Sequence, residues 1–354
     1  MAMQAQPGPA PDNILEVRDL HTYFPTDEGV VKAVEGATFS VPRGKTLCIV
    51  GESGSGKSIT ARAIMQIVSK PGRVVSGDVL FKPTADAPTV NLAKLDPRGA
   101  EIRAIRGRDI SMIFQEPMTS LSPVHTVGDQ IAEMVTLHLG FDKAAARQRA
   151  IDLLRKVGIP RPDERVDNYP FQLSGGQRQR AMIALALACE PKLLIADEPT
   201  TALDVTTQAN ILDLIADLQK EMNTSVIFIT HDLGVVAEIA DEVAVMYLGR
   251  VVERGDVDSI FHDPRHPYTR ALLKAIPTVD GRGTGRLASI RGMVPHPFAR
   301  PRGCQFSSRC DLMVPGRCDA AEPADVPVGP NRISRCIFAD DLAGVLPAGN
   351  EVAA

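Results

Sequence analysis

No apolar run in this 354-residue chain approaches the ~20 residues needed to cross a bilayer as a helix. Trp is absent and aromatic residues make up only 4% of the chain. Neither charge sign dominates. With 39 basic against 43 acidic side chains there is no general electrostatic reason to bind nucleic acid. The N-terminus lacks the charged and apolar regions of a secretory signal. It carries Pro7, Pro9 and Pro11 instead, and residues 1–13 are expected to form a disordered leader. No internal repeat is visible. Six cysteines in such a chain point to the reducing cytosol, where thiols act as ligands or core fillers.

What is present begins with Gly51-Glu-Ser-Gly-Ser-Gly-Lys57-Ser58, which fits G-x-x-x-x-G-K-[ST]. An apolar run, Leu47–Val50, precedes it, and Ile59–Met65 after it has helical character. Strand, glycine loop and helix together make a phosphate site. Glycines let successive N–H groups turn toward an anion, and the helix N-terminus adds to that field. Ser53, Gly54, Ser55, Gly56 and Ile59 belong to this cradle. Lys57 would reach the β- and γ-phosphates of a nucleotide, and the Ser58 hydroxyl would hold Mg²⁺.

At this length one large domain with a smaller appendage is expected. Ile14–Leu20, closed by Tyr23 and Phe24, has strand character, as do Val30–Val41 and Val74–Phe81; Pro83–Pro97 has loop character. Residues 98–180 are expected to form a helical insertion. Within it Asp142 caps a helix over Lys143–Val157 that presents Ala150, Leu154 and Val157 on one face and stops at Gly158. The apolar strand Lys192–Asp197 ends in the paired carboxylates Asp197 and Glu198. A helix around Gln208–Met222 follows, and then the strand Val226–Thr230, which delivers His231. Strands alternating with helices imply a mainly parallel α/β sheet with ligands at the strand carboxyl ends. A hairpin over Val243–Glu253, turning at Leu248-Gly249, is expected to end the core near residue 260, leaving 261–354 as a separate Cys-rich element.

Gln172-Leu-Ser-Gly-Gly-Gln-Arg-Gln-Arg180 stands just before the apolar-acidic strand, and its Ser-Gly-Gly offers a second anion-binding helix start. With these motifs in this order, residues 14–255 resemble the ATPase subunits of ABC transporters. Leu173–Gln177 resembles the signature motif and Thr201–Asp204 the D-loop. Gln115, in Phe114-Gln-Glu-Pro117, resembles the Q-loop glutamine, and His231 the switch histidine. The resemblance implies a P-loop NTPase core with an N-terminal antiparallel β subdomain and a helical signature subdomain. It also implies two such domains closing head to tail on ATP. Ser174, Gly175, Gly176 and Gln177 would then meet the ATP held by the other subunit. Ser58 and Gln115 would ligate Mg²⁺, Asp197 would hold it through water, Glu198 would polarise the attacking water and His231 would touch the γ-phosphate. Phe24 resembles the aromatic that stacks on adenine, with Tyr23 as its rival.

Only about 117 residues separate Lys57 from Ser174, without sustained heptads, which leaves no room for the coiled coil of the DNA-repair class. A single ATPase domain disfavours the translation class, and the lack of fused membrane helices disfavours exporters. His266-Pro-Tyr-Thr-Arg-Ala-Leu-Leu273, Ile290-Arg-Gly292 and the cysteines beyond them resemble the D-type ATPases of dipeptide/oligopeptide importers. That resemblance implies a peripheral protein at the cytoplasmic membrane face. Its partners would be a homologous second ATPase, two permease subunits and, indirectly, an extracytoplasmic peptide-binding protein. A nickel or other small-solute importer and a soluble ABC ATPase are the alternatives. His266 reads as a helix-start packing residue. Cys304, Cys310, Cys318 and Cys336 form C-x₅-C-x₇-C-x₁₇-C in a Pro/Gly-rich segment, which suggests a metal that organises it. The close pairs of zinc ribbons are missing and four-Cys ligation also suits a cubane; zinc, free thiols and disulfides remain open. The resemblance implies a 4Fe-4S cluster. Cys48 and Cys189 read as small core residues.

Overall fold

The computed structural model describes residues 12–115, 120–201, 204–276 and 290–344. Two long strands open it, β1 (Asn13–Thr26) and β2 (Gly29–Pro42), followed by β3 (Thr46–Val50), α1 (Lys57–Ile64), β4 (Arg73–Phe81) and the short β5 (Val90–Asn91). β2-β1-β4-β5 make a four-stranded antiparallel sheet. The leader expected over 1–13 lies outside the described residues as far as residue 11, and Asn13 already begins β1.

Next come α2 (Ala100–Ile105), β6 (Ile110–Ile113), α3 (Val127–Leu139), α4 (Lys143–Lys156), the single turn α5 (Pro162–Arg165) and α6 (Gly175–Ala186). β7 (Leu193–Asp197), α7 (Val205–Met222), β8 (Ser225–Ile229), α8 (Leu233–Ile239), β9 (Glu242–Tyr247) and β10 (Arg250–Asp256) complete the core. They are followed by α9 (Val257–His262), α10 (Pro267–Lys274), β11 (Val326–Gly329) and β12 (Arg332–Ser334). The second sheet has eight strands in the order β11-β12-β10-β9-β3-β8-β7-β6, parallel from β9 to β6 and antiparallel beyond.

Its parallel strands read as continuous apolar runs because both faces are covered. Alternate residues point to opposite faces. Leu47, Ile49, Ile195, Ile227, Ile229 and Met246 pack with α1 and the antiparallel sheet. Cys48, Val50, Leu194, Ala196, Val226, Phe228 and Val245 pack with the helices of the other face. Truncating the fully buried Phe228 to Ala would cost about 3–5 kcal/mol, transfer and cavity together.

The α4 helix forms as its sequence dictates. The Asp142 carboxylate accepts from Ala145 N–H at 2.8 Å, Ala150, Leu154 and Val157 are buried, and Gly158 stops it at φ +74°. Two expectations need correction. The 98–180 segment is not purely helical, since β6 lies inside it as the edge strand beside β7; four residues are too few to show a period. Nor does the core end at β10. β12 pairs with β10 through Glu253↔Ser334 and Arg254↔Ile333, so the C-terminal residues extend the core sheet. Tyr268, Leu273 and Phe306 also pack into the core of the helical face.

Glu253 explains this join. It is fully buried and accepts from the backbone N–H groups of Arg265 (2.6 Å) and His266 (2.9 Å), with Arg332 3.5 Å away. A lone carboxylate this deep would cost several kcal/mol; paired and hydrogen-bonded, it fixes α10 against the sheet.

Candidate functional site

The phosphate-type loop joins the end of β3 to α1. Gly56 takes φ +99°, and a Cβ there would stand 2.5 Å from the Ala33 carbonyl oxygen. At Gly51, φ +148°, the same atom would lie 2.2 Å from Met246 O. The β9–β10 turn walls the loop in, with Gly249 N–H donating to Ser55 O and Gly249 O accepting from Glu35 N–H, both at 2.8 Å. Ser53 and Gly54 are exposed, and Gly56, Ser58 and Ile59 half-buried.

Lys57 is buried and donates to Gly51 O (2.7 Å) and Glu52 O (3.2 Å). Burial lowers its pKa, while the Glu198, Asp197 and Glu52 carboxylates pull it back up. The Ser58 hydroxyl donates to Asp197 Oδ1 at 2.8 Å. Asp197 is buried at the end of β7, and its second oxygen, Oδ2, has no hydrogen-bond partner among the described residues. Burial raises the Asp197 pKa against the Ser58 hydrogen bond. A buried carboxylate oxygen with no donor, beside a hydroxyl, suits a hard cation such as Mg²⁺.

Glu198 follows at φ +48°, turned away from its neighbour, with its N–H donating to Ile229 O. Gln115 Nε2 (3.2 Å) and Thr201 Oγ1 (2.9 Å) both donate to Glu198 Oε2, and His231 Nδ1 stands 3.5 Å from Oε1. Lys57, Ser58, Gln115, Asp197, Glu198 and His231 are thus connected at one end of the sheet, as the strand order requires. The Thr201 contact to Glu198 had no signal beyond its place after the acidic strand.

The second group lies apart. Ser174 and Gly175 are exposed and Gly176 and Gln177 half-buried; no hydrogen bond among the described residues joins them to the loop. Ser174 starts α6 with a reciprocal cap, its Oγ accepting from Gln177 N–H (3.3 Å) and Gln177 Oε1 accepting from Ser174 N–H (3.1 Å). Phe24 is half-buried on β1, its ring against Gly72. Tyr23 is engaged with His21 (3.1 Å) and Glu35 (3.4 Å). Glu116 and Pro117, expected beside Gln115, and Ala202 and Leu203, expected in the D-loop, lie outside the described residues.

Cys304, Cys310, Cys318 and Cys336 line one cavity together with His266, Phe306, Leu312, Ile337 and Phe338. Burial pushes the Cys336 thiol up to about 12 and Cys310 up to about 11. Among the described residues no three His, Cys, Asp or Glu side chains converge closely enough to hold a single metal ion. His266 is the helix-start residue expected, its Nδ1 accepting from Tyr268 N–H at 3.1 Å. Cys48 and Cys189 are buried.

The ABC transporter family model matches residues 34–201, and that of the oligopeptide/dipeptide transporter C-terminal region matches 252–318. A probable peptide ABC transporter ATP-binding protein of Sinorhizobium fredii is 49% identical over 97% of this chain and 100% of its own length. The dipeptide transport ATP-binding protein of Escherichia coli is 48% identical over 94% of this chain and 98% of its own length. Among solved structures, a dimeric post-hydrolysis state of an ATP-binding cassette bound to ADP and Pi aligns with a TM-score of 0.60 and 26% identity. It covers 69% of this chain and 98% of that one.

Proposed function

Because the chain belongs to the family of ABC transporter ATP-binding subunits, which hydrolyse ATP to drive transport, we propose that it energises the import of di- and oligopeptides. The observation that carries this reading is the full-length likeness to peptide-transport subunits, C-terminal region included. It favours peptides over nickel or another small solute, and a membrane-coupled subunit over a soluble ATPase.

In this reading Gly51–Ser58 binds the phosphates of ATP. Lys57 leaves the carbonyls of Gly51 and Glu52 for the β- and γ-phosphates. Ser58, Gln115 and Asp197 hold Mg²⁺, which neutralises phosphate charge when bound. Glu198, whose Oε2 accepts from both Gln115 and Thr201, orients the attacking water. His231 lies 3.5 Å from that carboxylate and takes the γ-phosphate contact in this reading. Phe24 stacks on adenine. Ser174–Gln177, exposed at Ser174 and Gly175 and pre-capped at the start of α6, serves the ATP of a facing ATPase subunit. That subunit is a homologous, non-identical chain. Two permeases dock on the helical segment near Gln115 at the cytoplasmic face, and an extracytoplasmic binding protein supplies the peptide.

The four cysteines fit a 4Fe-4S cluster by their chemistry. All four are thiols around one cavity, and two sulfurs already accept backbone N–H groups: Cys318 from Val314 and Cys336 from Phe338, both at 3.4 Å. The cluster would staple the C-terminal segment to the core. Labelled dipeptide uptake in cells with and without the chain tests the function. Uptake that needs the chain supports it; nickel uptake that needs it while dipeptide uptake does not would overturn it.

A further inference from the structure

Glu52, the second residue of the phosphate loop, carries a negative charge where a polyanion is to bind. Every polar group it owns is held. Its carbonyl accepts from Lys57 Nζ, and its N–H donates to the Tyr268 hydroxyl at 2.8 Å. Its carboxylate takes a two-pronged grip from Arg309, with Nη1 at 2.5 Å from Oε2 and Nη2 at 2.9 Å from Oε1. The last two partners come from the far C-terminal region, over 200 residues along the chain.

Arg309 is built for this position. Only 4% of it is exposed, its Nε donates to Arg291 O at 3.0 Å, and its guanidinium lies over Tyr247 (5.8 Å) and Phe306 (5.9 Å). Tyr268 is fully buried, 4.7 Å from the Tyr247 ring and 5.3 Å from that of Phe306. Burying an arginine costs several kcal/mol unless it is paired, and Glu52 is its carboxylate partner.

We propose that Arg309 and Tyr268 are positioning residues of the nucleotide site, neutralising and anchoring Glu52 so that the N–H groups of the phosphate loop present an undiminished positive field to the phosphates. The Lys57 contacts are released when phosphates arrive. The Tyr268 and Arg309 contacts are not, so the loop keeps its shape while it loads. This rests on reading Gly51–Ser58 as the phosphate loop.

The test is ATP affinity and steady-state hydrolysis by the full chain, comparing Arg309→Met, Glu52→Gln, the double variant, Arg309→Lys and Tyr268→Phe. Arg309→Met leaves the Glu52 charge bare beside the phosphates and is expected to weaken ATP binding about tenfold at low salt, and less at high salt. Maximal turnover at saturating ATP should stay within about twofold. Adding Glu52→Gln should restore most of the affinity, because the offending charge is gone. Arg309→Lys should restore part of it, and Tyr268→Phe should weaken binding without salt dependence. A double variant as weak as Arg309→Met, or variants that lower thermal stability with ATP affinity unchanged, would make the contact a structural staple and overturn the proposal. Unchanged ATP affinity in Lys57→Ala would instead remove the phosphate-loop reading beneath it.

Discussion

The Ser58 hydroxyl donates to Asp197 Oδ1 across 2.8 Å, tying the last residue of the glycine loop to the last residue of β7. These residues lie 139 positions apart and meet because β3 and β7 both flank β8 and run parallel to it. The contact leaves Asp197 Oδ2 buried and, among the described residues, without a donor. Asp197→Asn should therefore lower ATPase activity at least a hundredfold, since the amide is a poor ligand for a cation. Its thermal stability should be equal or higher, because burial already penalises the charged form. Activity titrated against Mg²⁺, beside a melting curve, checks both halves.

Gly56→Ala should weaken nucleotide binding. The new methyl would meet the Ala33 carbonyl at 2.5 Å with φ at +99°, so the loop must move. The strain is worth about 1–3 kcal/mol, and the chain should stay folded while ATP affinity falls more than tenfold. Calorimetric titration with ATP decides it.

Asp263 gives a pH test away from the site. Burial works to raise its pKa, but hydrogen bonds from Arg265, the Gly344 N–H and Arg332 outweigh it and hold the group down to about 2. A depressed carboxylate contributes stability above its unfolded value, near 4, and loses it as pH falls toward 2. Asp263→Asn should cost on the order of 1–2 kcal/mol at pH 7 and nearly nothing at pH 2. Denaturant melts at the two pH values measure it.

The cysteine cavity predicts about four iron and four sulfide per anaerobically purified chain, with broad visible absorption, if it holds a cubane. Cys318→Ser should lose both and loosen residues 290–344. Zinc alone, or no metal, would contradict the cluster and leave the ATPase site untouched.

Much of this was legible because it is local. The glycine loop, the Asp142-capped helix, the acidic end of β7 and the Leu248-Gly249 turn each follow from a few adjacent residues. β6 was not legible, since Ile110–Ile113 is buried on both faces and too brief to show a period. Nor was the joining of the C-terminal region to the core. β12 is three residues long, and it pairs with β10 at Glu253, whose carboxylate takes its hydrogen bonds from residues 12 and 13 positions on. The Arg309–Glu52 ion pair bridges 257 positions and has no motif to announce it. The site was visible where its chemistry is clustered in sequence, and hidden where folding alone supplies it.

The most direct measurement is nucleotide retention by Glu198→Gln, set against Lys57→Ala. If Glu198 orients the attacking water, the glutamine variant should bind ATP as tightly as the native chain, hydrolyse it at least a hundredfold more slowly, and retain intact ATP on purification; Lys57→Ala should bind little. Brisk turnover by Glu198→Gln, or ATP bound equally well without Lys57, would contradict the account.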